Sequence, residues 1–150
     1  METGGGVNIL LVDDNPADVL LFREAIKECT KSCSIRVAQD GEEAKKVLFG
    51  RPSGSSLLPD LIVLDLNLPK VTGDELLRLI KADSALRTIP VVILSTSSNA
   101  EDIRRSYENQ ATCYLVKPSN LGDYMRMVQD WGNFWMSMAV LPPRAQAFRV

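Results

Sequence analysis

A set of polar and charged residues in this sequence shares one unusual placement, each standing directly after a short apolar run. Asp13 and Asp14 follow VNILLV, Asp65 follows LIVL within LIVLDLNLPKVTG, Ser95 follows PVVIL, and Lys117 follows TCYLV. Two adjacent carboxylates at the end of a buried run are penalised by repulsion and by desolvation. A third brought to the same place deepens the conflict, and a divalent cation resolves it. Mg2+ takes oxygen ligands in near-octahedral geometry and keeps waters that a phosphate can replace. Lys117 offers a compact positive charge for a phosphoryl oxygen, and Ser95 a hydroxyl that donates to another. Such a group suits phosphoryl transfer, where positioning and charge neutralisation supply nearly all of the catalysis. Asp13 and Asp14 then hold the cation, and Asp65 is the carboxylate that acts as nucleophile.

The grouping requires neighbouring strands with their carboxyl ends together. The candidates are residues 7–12, 34–38, 61–66, 90–94 and 112–116, all short and rich in Val, Ile and Leu. None but the second alternates cleanly, and such unbroken apolar runs are how parallel strands buried on both faces read. Amphipathic segments of helical length lie between them. NPADVLLFREAIKEC has Pro16 in an opening position and Val19, Phe22, Ile26 and Cys29 along one face. DGEEAKKVLFG lies between Gly41 and Gly50, and TGDELLRLIKAD sets Leu76, Leu77 and Ile80 on one stripe. SNAEDIRRSYENQ offers only Ile103 and Tyr107 as apolar contacts, and SNLGDYMRMVQDWGNFWMSM is the longest. Strand–helix alternation of this kind predicts right-handed βαβ units in a three-layer α/β sandwich. Ligands of open α/β sheets bind beyond the carboxyl ends of the strands, where these side chains fall; the second strand, at an edge, adds nothing polar of note. An Asp-Asp pair alone is more often a helix cap and a solvated loop, a Lys-Pro a surface turn, and a Ser after an apolar run a cap. Their joint appearance at the ends of different strands carries the argument.

Bulk properties narrow the classes. At 150 residues, 45% hydrophobic, 24% charged and net charge −2, the chain reads as one globular domain with a sizeable core. The charge balance gives no reason to expect a nucleic-acid surface. METGGGVN has no signal-peptide pattern, and no apolar stretch is long enough for a bilayer, so a cytoplasmic protein with no membrane partner is expected. Cys29, Cys33 and Cys113 are too few and too scattered for a disulfide framework. The chain has no histidine, which excludes Ser-His-Asp and Cys-His catalysis and His-ligated metals. The expected organisation is a flexible N-terminus over 1–6, one domain over 7–138, and a tail over 139–150 too short to be an output domain. RPSGSSLLP, rich in Ser, Gly and Pro, reads as a loop insertion ahead of the third strand.

LLVDDNPAD, DLNLPKVTGDELL, IPVVILSTS and YLVKP, in this order and spacing, resemble a response-regulator receiver domain of two-component signalling over about residues 7–138. The resemblance implies a doubly wound, flavodoxin-like five-stranded parallel sheet in the order 2-1-3-4-5. It implies that Asp65 is the phosphoacceptor, taking its phosphoryl group from the phosphohistidine of a sensor kinase or phosphotransfer protein. Asp14, Asp65 and the backbone carbonyl of Asn67 would ligate Mg2+, with Asp13 assisting through water. Lys117 would pair with phosphoryl oxygens, its bond to Pro118 being cis. Ser95 takes the switch hydroxyl position and Tyr114 the aromatic switch position. Phosphorylation would draw Ser95 in and let Tyr114 turn inward, shifting the face around the fourth helix, whose thin core contacts suit an element that moves. Receivers usually carry a small residue after the switch hydroxyl; here Thr96 follows, and alignment to PVVIL favours Ser95. Asn67 and Ser97 flank the site and should tune hydrolysis. Such a protein is no classical enzyme, at most slowly dephosphorylating itself, and it signals to a downstream protein target. DLNLPK, the Trp-rich last helix and the Leu-Pro ending resemble stand-alone receivers paired with phytochrome kinases.

In the last helix, apolar residues from Leu121 to Met138 cover an arc of roughly 200° at 100° per residue, about twice what one core stripe needs. Leu121, Met125, Val128 and Trp135 read as core. Met127, Trp131, Phe134 and Met138 fall to one side, and with the AVLPP segment suggest a homodimer surface. Three other readings compete. A receiver-shaped dimeric adaptor that never uses phosphate has no reason to keep the site residues. A flavin or nucleotide binder is disfavoured by DDNPAD, acidic and lacking glycine where phosphate would sit. A hydrolase with an aspartyl-phosphate intermediate would have an acid two residues after Asp65, where Asn67 stands.

Overall fold

The computed structural model describes residues 6–29, 33–50 and 58–143. The expectations for residues 1–5, for most of RPSGSSLLP and for 144–150 lie outside the described residues. Strands β1 (Val7–Val12), β2 (Cys33–Ala38), β3 (Leu61–Leu64), β4 (Val91–Ser95) and β5 (Cys113–Val116) alternate with helices α1 (Pro16–Ile26), α2 (Gly41–Phe49), α3 (Gly73–Ala82), α4 (Ala100–Glu108) and α5 (Leu121–Asn133). A π-helical turn, Phe134–Met138, continues α5. The strands form one parallel sheet in the order β2-β1-β3-β4-β5, so the doubly wound sandwich expected from the sequence is the fold.

The period of two along a strand sends neighbouring residues to opposite faces. Leu10 and Val12 of β1 join one core with Leu76, Leu77 and Ile80 of α3, while Ile9 and Leu11 join the other with Phe22 of α1 and Val128 of α5. Helix starts are written locally. The Asn15 side chain accepts from the N–H groups of Ala17 and Asp18, and Pro16 follows it, which satisfies orphan donors and presets the first turn. Thr72 and Glu75 form a reciprocal capping box at α3.

Four expectations are corrected. β5 is an edge strand with half-buried side chains and an exposed Val116, rather than a strand buried on both faces. In α4 the buried residue is Ser106, whose hydroxyl donates to the Asp102 carbonyl, while Tyr107 is exposed. The bond to Pro118 is trans; an X-Pro amide prefers trans by only about 0.5–1 kcal/mol, too little for sequence to decide. The phase of α5 also differs. Trp131, read as dimer surface, is buried with its ring 5.6 Å from that of Phe22, and Leu121, read as core, is 66% exposed. The seam with α1 sets this phase. A Cβ on Gly132 would lie 2.5 Å from Cys29 Sγ, so glycine admits the close approach and turns Tyr124, Val128 and Trp131 inward. Met127 is half-buried, and Phe134 and Met138 are exposed.

Candidate functional site

The parallel register carries Asp13, Asp65 and Lys117 one step past their strand pairings, while Ser95 ends β4 paired with Val116. The Asp13 N–H donates to the Ala38 carbonyl, the Asp65 N–H to the Val12 carbonyl, and the Lys117 N–H to the Ser95 carbonyl. The ladder thus fixes the backbones from which the side chains project together. Asp65 is followed by a turn in which its Oδ1 accepts from the Asn67 N–H at 3.0 Å. Asp13 Oδ1 likewise accepts from the Asn15 N–H at 2.9 Å. Gly73 lets α3 begin against this turn, because a Cβ there would lie 2.5 Å from the Asp65 carbonyl oxygen and 2.6 Å from Leu66 Cα.

Asp13, Asp14 and Asp65 each bring a carboxylate oxygen within 4.8 Å of the others. Asp13 and Asp65 are buried and Asp14 is exposed, an all-oxygen set open to solvent on one side. Lys117 Nζ donates to Asp13 Oδ2 at 3.0 Å, to Asp65 Oδ2 at 3.0 Å and to Asp18 Oδ2 at 2.9 Å. Three N–H groups therefore meet three carboxylates, with the lysine side chain 5% exposed. Burial opposes the ammonium charge, but the bond to Asp18 and the charges of Asp65 and Asp13 outweigh it and raise the Lys117 pKa. Burial raises the Asp13 carboxyl pKa, against the pull of the Asn15 N–H and Lys117.

Ser95 is fully buried and Thr96 exposed. Ser95 Oγ accepts from the Ser97 N–H at 3.1 Å, and Tyr114 Oη donates to the Ser97 carbonyl at 2.9 Å. The two expected switch residues thus converge on one peptide segment. Ser97 Oγ also donates to Asp102 Oδ2 at 2.6 Å, and Arg105 bridges Asp102 to Asp74 of α3. These polar ties hold α4 where apolar contacts are few.

Asp18 was not singled out from the sequence. A carboxylate in a first helical turn is explained by the helix dipole alone, and only the approach of Lys117 makes it part of the site. A shallow hollow beside Asp13 and Asp14 is lined by Pro16, Val19, Leu20, Arg23, Val37 and Gln39. A wider apolar groove runs between β5 and α5, past Cys113, Leu115, Met127, Trp131 and Phe134. Among the described residues, no helix is long and apolar enough to cross a membrane.

A doubly wound sheet with an acidic cluster and a lysine converging at its carboxyl edge defines a receiver domain. The chain belongs to that family: the response regulator receiver domain model matches residues 9–129. It is 43% identical over 137 residues to response regulator Rcp1 of Synechocystis sp., covering 89% of this chain and 92% of that protein. The phosphorylated cyanobacterial phytochrome response regulator RcpA is similar in structure, with a TM-score of 0.87 and 42% identity over 93% of this chain and 100% of that one. The Mn2+-bound form of Rcp1 superposes with a TM-score of 0.87 and 42% identity, covering 91% of this chain and 99% of that one.

Proposed function

We propose that this protein is a phosphorylatable switch whose acceptor is Asp65. The observation that carries the reading is the placement of one buried ammonium, that of Lys117, 3.0 Å from both Asp65 and Asp13, beside three carboxylate oxygens within 4.8 Å of one another. Transfer forms an O–P bond at an Asp65 carboxylate oxygen as the N–P bond of a donor phosphohistidine breaks, its electron pair returning to the imidazole. The donor is a sensor histidine kinase, of phytochrome type by similarity to RcpA, or a phosphotransfer protein. Asp14, Asp65 and the Asn67 carbonyl would hold Mg2+, with Asp13 acting through water. The ion supplies positive charge against the oxygens of the incoming phosphoryl group. Lys117 adds a charge that stays within the site throughout.

The switch follows from the convergence on Ser97. Ser95 turning its hydroxyl toward a phosphoryl oxygen gives up the bond from the Ser97 N–H, which loosens the segment that also binds Tyr114 and Asp102. Tyr114 and α4 then resettle, and a downstream protein reads the altered face. Output passes through protein contacts made by the face of the receiver domain over 7–138. A homodimer would use Met127, Phe134, Met138 and the segment around Leu141 rather than Trp131. Light scattering at tens of micromolar tests it, and a monomer with and without a phosphoryl mimic refutes it.

The primary test is intact-mass spectrometry after incubation with acetyl phosphate, in Mg2+ or in EDTA, on wild type and Asp65→Asn. One phosphoryl adduct that requires both Mg2+ and Asp65 is expected. A folded, Mg2+-supplied protein without an adduct overturns the reading in favour of the phosphate-independent adaptor.

A further inference from the structure

We infer that Asp18 is a positioning residue of the phosphorylation site, a carboxylate that competes with the phosphoryl group for the ammonium of Lys117. The inference rests on the phosphoacceptor reading above. It starts from the full use of the ammonium: its three N–H groups go to Asp13, Asp65 and Asp18 at 3.0, 3.0 and 2.9 Å. A phosphoryl group on Asp65 adds anionic oxygens next to this lysine, and one existing bond must yield to reach them. The Asp65 contact lies on the acceptor itself. The Asp13 side chain is only 2% exposed, and a buried carboxylate stripped of its partner is costly. The Asp18 side chain is 22% exposed, so water can take over as its partner. Asp18 is therefore the contact released at least cost.

Its geometry is fixed on both sides. The Asp18 N–H donates to the Asn15 cap at 3.3 Å, and the Asp18 carbonyl accepts from the buried Tyr124 hydroxyl at 3.4 Å. The residue sits in the first turn of α1, and only its side chain is free to swing. It is not one of the three carboxylates grouped closely enough to share a cation. Its effect is thus on the lysine: it parks the ammonium in the resting state and repels the incoming anion.

Neutralising Asp18 turns its ion pair with Lys117 into a bond from the ammonium to a neutral acceptor, and the lost charge–charge attraction of about 1 kcal/mol at this partly exposed carboxylate is about fivefold. Asp18→Asn should raise affinity for beryllofluoride, a phosphoryl mimic, and the rate of adduct formation from acetyl phosphate, each by about fivefold. Asp18→Ser should change both in the same direction, and Asp18→Glu should stay near wild type. Glu24→Gln removes the same charge from an exposed site on the same helix and should leave both unchanged. Mg2+ affinity is measured in parallel. Unchanged or weakened beryllofluoride binding in Asp18→Asn overturns the inference, as does an equal gain in Glu24→Gln or a matching gain in Mg2+ affinity. If wild type forms no adduct, the phosphoacceptor reading fails and takes this inference with it. An adduct in wild type with no gain in Asp18→Asn overturns the inference alone.

Discussion

Replacing Lys117 by methionine keeps the length and apolar stem of the side chain and deletes only the ammonium. Its consequences for stability follow from the geometry. The lysine is 5% exposed and lies 3.0 Å from Asp13, 2% exposed, and 3.0 Å from Asp65, 11% exposed. Without it, two buried carboxylates face each other with no cation between them. Breaking a buried pair by removing one partner costs about 3–5 kcal/mol. Each kcal/mol is worth roughly 2–4 °C in a domain of this size, so a loss on the order of 10 °C is expected. A divalent cation offers the charge that the substitution removed, so Mg2+ should stabilise the variant more than wild type. Urea unfolding followed by tryptophan fluorescence, with the buried Trp131 as a probe, measures both quantities in EDTA and in Mg2+. Adding Asp13→Asn to the variant should recover part of the loss in EDTA, because it removes one of the stranded charges. The reasoning is refuted if Lys117→Met in EDTA lies within about 1 kcal/mol of wild type, the range of an exposed pair. It is equally refuted if Mg2+ stabilises the two proteins alike.

Gly73→Ala should destabilise by about 2 kcal/mol or more, because the added Cβ meets backbone at Asp65 and Leu66 rather than a side chain that can move; the urea midpoint checks it. Trp131→Ala should cost about 3–5 kcal/mol, whereas Leu121→Ala should stay within about 0.5 kcal/mol, and the same unfolding curves report whether α5 has the described phase. The Asp102 carboxyl is held below its ordinary pKa, first by the Ser97 hydroxyl, with burial opposing and the bond and charge of Arg105 adding to the lowering. Its contribution is therefore present above the unfolded-state pKa and is lost as pH falls through the lower folded value. Protection factors of the α4 amides, taken against intrinsic exchange at the same pH, should fall below about pH 4 in wild type, and Asp102→Asn should show that lowered protection already at neutral pH.

The sequence determined the sheet and the principal groups at its edge. Short Val, Ile and Leu runs separated by amphipathic segments leave little choice but parallel βαβ units, and the polar residue after each run then lies at the carboxyl edge whatever the details of packing. Asp13, Asp14, Asp65, Ser95 and Lys117 were legible for that reason: each is ordinary alone, and their joint appearance at the ends of different strands is not. Asp18 was not, because a carboxylate in a first helical turn satisfies the local rules by itself, and its partner is distant along the chain. Tertiary structure alone decided that Lys117 reaches it. The inward side of α5 was also undecided in the sequence. Its apolar arc is wider than one stripe, so periodicity could not say whether Trp131 or Leu121 faces the core. The close approach at Gly132 against Cys29 chose Trp131. In α4 the sequence displayed a lack of apolar anchors, while the ties through Ser97, Asp102, Arg105 and Asp74 exist only once α3 and α4 stand side by side. Local chemistry could therefore be read from order and spacing, and the choice among equally satisfied partners waited for the packing.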